Sequence, residues 1–276
     1  MTLPLVLLSA TAALYLASFA FHLLSFSGVM ESGHRPAFSL MRIGFLFATF
    51  YFVTEGMEHG SFLPVGNFSQ ALAFFAWSLA FVYLVLLLHI QSESFGLVLT
   101  PVLLLMVGIS CAAAFRNDSV SSALNPLFMN PYFALHIVAA FFAYASFALS
   151  FAAGILYLIQ NHELKNKRAG NFYHKLPSLE SLEKLIYQPL FWGAPLLLAA
   201  FGIGFIWSKS VYGKYLFFDP KTIATLFTVL IYFMILLLHK AFTLRGKRAA
   251  VLSLLAFSFV LVSFVGTRFI QGSHNF

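Results

Sequence analysis

"LHIVAAFFAYASFALSFAAGILYLIQ", residues 135 to 160, contains no Asp, Glu, Lys or Arg and a single histidine, His136. About 20 apolar residues carry a helix across the hydrocarbon core of a bilayer, and this run is longer than that. Its apolar residues are continuous rather than alternating, which argues against a strand of a membrane barrel. Similar runs occur at 3–25, 38–57, 69–90, 97–115, 131–160, 190–208, 221–239 and 249–270. The composition agrees: 61% of residues are hydrophobic, 9% are charged and the mean hydropathy is +0.89, far from the values of soluble domains. The expected fold class is all-α, a polytopic transmembrane helix bundle of about eight spans. The first run lacks a basic leader and a small-residue cleavage site, so it reads as a retained helix.

Cytoplasmic loops keep Lys and Arg, and this bias orients the bundle. With alternating crossings, Arg35, Arg42, Lys165, Lys167, Arg168, Lys175, Lys184, Lys240, Arg245, Lys247 and Arg248 fall on one face. Arg116, Lys209, Lys214, Lys221 and Arg268 fall on the other. Both termini are then expected outside the cytoplasm. The net charge of +7 reflects this bias and an attraction to anionic lipid rather than nucleic-acid binding. Cys111 is the only cysteine and forms no internal disulfide.

One substantial loop, 161–189, is expected on the cytoplasmic side. Its first part, "NHELKNKRAGNFYHK", is polar and basic, whereas "LPSLESLEKLIYQPLF" places Leu176, Leu179, Leu182 and Leu185 at three-residue spacing. That stripe predicts a short amphipathic helix lying in the membrane interface. On the outer side lies the loop 209–220, and the aromatic stretch "SVYGKYLFFDPKT" spans 210–222. The whole chain, 1–276, reads as one integral membrane domain, without a Gly-rich phosphate loop, a cysteine metal motif or a Ser-His-Asp pattern.

Histidine carries the chemistry. Nine histidines stand in a chain with only 9 acidic residues. His59, His136 and His274 fall toward the outer face, His22, His89 and His239 lie in apolar runs near their cytoplasmic ends, and His34, His162 and His174 lie in cytoplasmic loops. Ionisable residues inside spans are costly and are functional candidates; the alternative for each is a hydrogen bond to a neighbouring helix or a reach to the headgroups. Two outer histidines on different spans, His136 and His274, with aromatic rings between them in sequence, suit a haem iron taken from both faces. Zinc or copper would use the same imidazoles but lacks cysteines or clustered carboxylates here. His59, beside Glu55 and Glu58, is a further place for a metal ion or proton.

Asp219 precedes Pro220 at the head of the seventh span, where a carboxylate caps free N–H groups and meets the positive end of the helix dipole. The rings of Tyr212, Tyr215, Phe217 and Phe218 also fit the aromatic belt of any membrane interface.

Several segments in order resemble the cytochrome c assembly membrane proteins of the CcsA, CcmC and CcmF type, including HemX-like members. "LHIVAAFFAYASFALSFAAGILYLIQ" resembles the family's histidine-bearing span, and "LPSLESLEKLIYQPL" its short cytoplasmic helix. "GAPLLLAAFGIGFIWS" and "LIYFMILLLHK" resemble the spans around its signature loop, and "RGKRAA" and "SFVGTRFIQGSHNF" its ending. "YGKYLFFDPKT" stands in the place of its tryptophan-rich haem loop. Gly213, Tyr215, Asp219, Pro220 and Lys221 match, whereas Tyr212, Leu216 and Phe218 replace tryptophans and Thr222 replaces an acid.

The resemblance implies haem b as bound cofactor or substrate. His136 and His274 would be its outer iron ligands, Tyr212, Tyr215, Phe218 and Asp219 would shape the loop over it, and His239 would belong to an inner site. The partner of His239 would come from another subunit or from His22 or His89. Haem would be delivered to the outer face for attachment to apocytochrome c, at a bacterial-type inner membrane. This chain would at most be part of a cytochrome c haem lyase with a partner membrane subunit. The second reading is a HemX-like, non-catalytic accessory or regulatory protein of haem metabolism. A small-molecule transporter is a third, against which stands the lack of paired charges within spans.

Overall fold

The computed structural model describes residues 2–30, 32–61, 63–88, 93–116, 130–166, 176–212, 220–242 and 244–270. They form eight helices: α1 (Leu3–Ser27), α2 (His34–His59), α3 (Phe68–Leu87), α4 (Glu93–Phe115), α5 (Pro131–Lys165), α6 (Leu179–Tyr212), α7 (Pro220–Phe242) and α8 (Lys247–Ile270). No strand occurs among the described residues. Seven expected runs lie wholly within a helix each; the run 69–90 passes Leu87 into residues outside the described ones. α1 to α7 are long and apolar enough to cross a membrane, and the chain is a multi-pass membrane protein. The side chains of α8 beyond Ser263 lie outside the described residues.

Local chemistry sets the helix ends. α1 stops at Gly28 (φ 82°) and α2 at Gly60 (φ 60°), both left-handed, a conformation that glycine adopts without a Cβ penalty. Asn67 begins α3 by accepting a hydrogen bond from the Gln70 N–H. α6 departs from expectation: the amphipathic segment from Leu179 onward is its first part and continues without a break into the following span. Pro189 and Pro195 lie inside it and remove the N–H groups that would bond the carbonyls of Leu185 and Phe191. Burial explains the continuity, because Leu182, Leu185, Ile186 and Leu190 are all at most 2% exposed.

The chain divides into two compact units, residues 1–134 with 174–177, and 135–173 with 178–276. In the N-terminal unit α1 packs on α2 and α4, and α3 on α4. Tyr15 fills the notch left by Gly44, where a Cβ would stand 2.7 Å from the ring, and the Ser18 hydroxyl donates to the Ala37 carbonyl at 2.8 Å. Ser69 and Ser110 each donate to the other's carbonyl at 2.8 Å, joining α3 to α4. Trp77 donates to Thr49 Oγ1 at 2.9 Å and stacks with Phe45, Phe74 and Phe81.

In the C-terminal unit, small residues on α5 let backbones approach. Lipid tails are as apolar as leucine side chains, so van der Waals packing and hydrogen bonds carry helix association there. Ser150 meets Ser253 of α8 at 2.8 Å. A Cβ on Gly154 would stand 3.2 Å from the Ala250 carbonyl, and one on Gly193 of α6 2.8 Å from Ser146 Cβ and Phe147 Cε1. The Phe147 ring, wholly buried, stacks on Tyr232 of α7 with centroids 3.6 Å apart. Around this pair the core gathers Tyr187, Leu190, Leu197, Val229, Ile235 and Phe257.

Candidate functional site

Two histidines of the C-terminal unit are held in the same way, at opposite ends of it. His136 lies in the second turn of α5. Its Nδ1 is 2.7 Å from the carbonyl oxygen of Ala200 on α6. A carbonyl only accepts, so Nδ1 carries the proton, and in the neutral ring Nε2 keeps its lone pair. Gly204 makes the approach possible: a Cβ there would stand 2.6 Å from His136 Nδ1 and 2.7 Å from Cε1. His136 is half-buried.

His239 lies in the last turn of α7, again half-buried. Its Nδ1 is 3.0 Å from the carbonyl oxygen of Leu244, which gives it the same tautomer with the lone pair on Nε2. The Tyr187 ring of α6 stacks on the imidazole, with centroids 3.4 Å apart and planes 21° from parallel. The Tyr187 hydroxyl donates to the same Leu244 carbonyl. Sequence reasoning expected a histidine reaching the headgroups as the alternative for His239; its ring instead turns under Tyr187.

Tyr187 and Ala200, both on α6, are separated by about 20 Å at 1.5 Å per residue. The two imidazoles are therefore too far apart to meet one and the same metal ion. The helix path places His136 at the end where α6 finishes and α7 begins, and His239 at the end where α7 finishes and α8 begins.

His22 is 3% exposed in the N-terminal unit. Among the described residues its Nε2 has no hydrogen-bond partner, and neither has the buried Tyr83 hydroxyl. Both point to Gly96, lying 2.6 Å and 3.2 Å from where a Cβ on that residue would stand. Phe38 closes the ring from the side, edge-on at 5.1 Å. So packed, His22 offers no face to a ligand as large as a porphyrin.

His59 is exposed, with Nδ1 3.1 Å from its own helix's Glu55 carbonyl. The Glu55 carboxylate accepts from Gln70 Nε2 at 2.7 Å, and no cluster of three metal-binding side chains occurs among the described residues. His274, His89, Tyr215, Phe218 and Asp219 lie outside the described residues. Tyr212 is the last residue of α6, and its side chain lies outside them too.

The partners that hold the rings were not legible in the sequence. Ala200 and Leu244 act through main-chain carbonyls, which no residue type announces. Gly204, in "FGIGF", and Tyr187, a ring with a polar tip in the amphipathic run, were the available signals.

A histidine whose Nδ1–H is fixed by a backbone carbonyl is prepared to give Nε2 to a metal, since the carbonyl sets the tautomer and the ring orientation and raises the basicity of the ligating atom. Two such rings are held on one helical unit of a multi-pass membrane protein. The sequence over residues 65–274 matches the model of the cytochrome C assembly protein family, and the chain belongs to that family. It is 29% identical to Protein HemX of Brevibacillus brevis, over 93% of each chain. It is 28% identical to Protein HemX of Bacillus subtilis, over 92% of this chain and 91% of that one. The identity to the cytochrome c biogenesis protein CcsA of Guillardia theta is 26%, over 81% of this chain and 79% of that one.

Proposed function

We propose that this chain binds haem b as its substrate within the membrane and presents it on the outer face for attachment to apocytochrome c, working with a partner membrane subunit. The observation that supports the reading is the pair of imidazoles, His136 and His239, each with Nδ1–H on a backbone carbonyl. The donor set fits: a neutral imidazole oriented this way is the ordinary axial ligand of haem iron. His239 would receive haem near the cytoplasmic side. His136, with His274, would hold it beneath the loop 210–222, where Tyr212, Tyr215, Phe218 and Asp219 would cover it. The partner of His239 would come from another subunit, and His22 is sealed in the packing of the N-terminal unit. The location would be a bacterial-type inner membrane, with both termini outside, the orientation that the lysine and arginine bias supports.

A second reading, a HemX-like accessory or regulatory protein without a part in the attachment reaction, draws support from the two HemX relatives, which match over more of the chain than CcsA of Guillardia theta does. Loss of c-type cytochromes on deletion favours the first reading, and retention of them the second.

Gently purified protein is expected to show a haem absorbance band and a positive pyridine haemochrome assay. His136→Gly is expected to lower haem content or alter the spectrum, and added imidazole to restore part of it by filling the vacated ligand position. An unchanged spectrum in a folded His136→Gly protein removes the outer site. Orientation is tested in a Cys111→Ser background. Asn166→Cys and Lys209→Cys are expected to react with an impermeant thiol reagent from opposite sides of the membrane, Lys209→Cys from outside. Labelling of both from outside overturns the topology.

A further inference from the structure

We propose that Tyr187 is the positioning residue of His239, acting on it twice through one site. Its ring lies against the imidazole, centroids 3.4 Å apart, and fixes the plane of the ligating ring. Its hydroxyl donates to the Leu244 carbonyl, the acceptor that fixes the His239 tautomer at 3.0 Å. A carbonyl oxygen has two lone pairs, so both donors are satisfied together.

The turn that carries this carbonyl is itself held. The Leu244 N–H reaches the Leu238 carbonyl at 3.4 Å, and Gly246 takes φ 62° beneath Tyr157, where a Cβ would stand 2.9 Å from the Tyr157 hydroxyl. Any L-residue with a side chain is strained in that conformation. Tyr187 is 5% exposed and Leu190, one turn further along α6, is fully buried, so the stacking ring is anchored by the core of the unit. The imidazole thus has its plane set by α6 and its tautomer set by the turn after α7. With Nδ1 engaged by the carbonyl, Nε2 is the ring nitrogen that would meet a ligand.

This assignment rests on His239 being a haem ligand only for its functional consequence; the positioning itself is tested without haem. Protein labelled with nitrogen-15 histidine and freed of haem is expected to show His239 as the Nδ1–H tautomer. In Tyr187→Leu, which loses both the ring and the hydroxyl, a mixture of the two tautomers is expected. In Tyr187→Phe the carbonyl is left to His239 alone, so the Nδ1 signal is expected to move while the tautomer is kept.

Haemin titration in a His136→Gly background reads the consequence. Tyr187→Leu is expected to bind about tenfold more weakly, the usual loss when the group orienting a ligating histidine is removed, and Tyr187→Phe to recover most of that affinity. His239 signals unchanged from wild type in both variants overturn the positioning role. If His239→Ala binds haemin as well as its parent does, the haem-ligand reading of His239 falls, and the tautomer measurement still decides whether Tyr187 orients the ring.

Discussion

Phe147→Ala is expected to lower the stability of the C-terminal unit by about 2–3 kcal/mol. The usual account of a large core deletion combines a transfer term with a cavity term. In a bilayer the transfer term largely vanishes, because helices that separate expose their side chains to lipid as apolar as the core. The cavity term remains. A void of roughly 100 Å³ at ~24 cal/mol per Å³ comes to about 2.4 kcal/mol. Phe147 is wholly buried, its face lies on Tyr232, and its edge lies where a Cβ on Gly193 would stand, so atoms of α6 and α7 lose contacts together. Denaturant titration of the protein in detergent micelles measures the loss. A change below about 0.5 kcal/mol, the size typical of surface substitutions, would mean that this stack is not part of the packed core.

Gly204→Leu is expected to reduce haem retention at the outer end by at least about tenfold, the scale of losses when a ligating histidine is no longer oriented. Its Cβ would enter the space of the His136 ring, 2.6 Å from Nδ1, and the ring would have to leave the Ala200 carbonyl. The protein loses the orientation of Nε2, not the histidine itself. Gly202→Leu is the matched control, since a Cβ there meets nothing within 4 Å among the described residues, and its haem content is expected to stay at the wild-type level. Both are measured as haem-to-protein ratio in a His239→Ala background, which leaves the outer site alone to be counted. Wild-type retention in Gly204→Leu would mean that His136 does not ligate in the orientation found here.

The spans were legible because their signal is long and cumulative. Twenty or more apolar residues outweigh any single breaker, and the expected 131–160 and 221–239 lie inside α5 and α7. The ends were less so. The polar residues of "NHELK" suggested a stop near 160, yet α5 runs to Lys165, since a helix that leaves the hydrocarbon core can carry charge. At α6 the expected loop 161–189 and span 190–208 meet inside one continuous helix, with Pro189 within it. What decides that junction is the burial of Leu185, Ile186 and Leu190 on either side of it, a tertiary fact. The site divides in the same way. Histidines in apolar runs announce themselves, whereas the main-chain carbonyls that orient them do not, whether 64 residues away, as Ala200 is from His136, or five, as Leu244 is from His239.

The two prolines of α6 have a mechanical effect. Tyr187 lies on one side of both, and Ala200 and Gly204 on the other. An unbroken ladder of main-chain bonds would make the helix a stiff rod, so that a slide or tilt at one imidazole would be felt at the other. With two rungs missing between them, bending is concentrated in the segment from Leu185 to Pro195. The half of α6 that touches His239 and the half that touches His136 are thus joined by a stretch with two main-chain hydrogen bonds fewer than an unbroken helix would have.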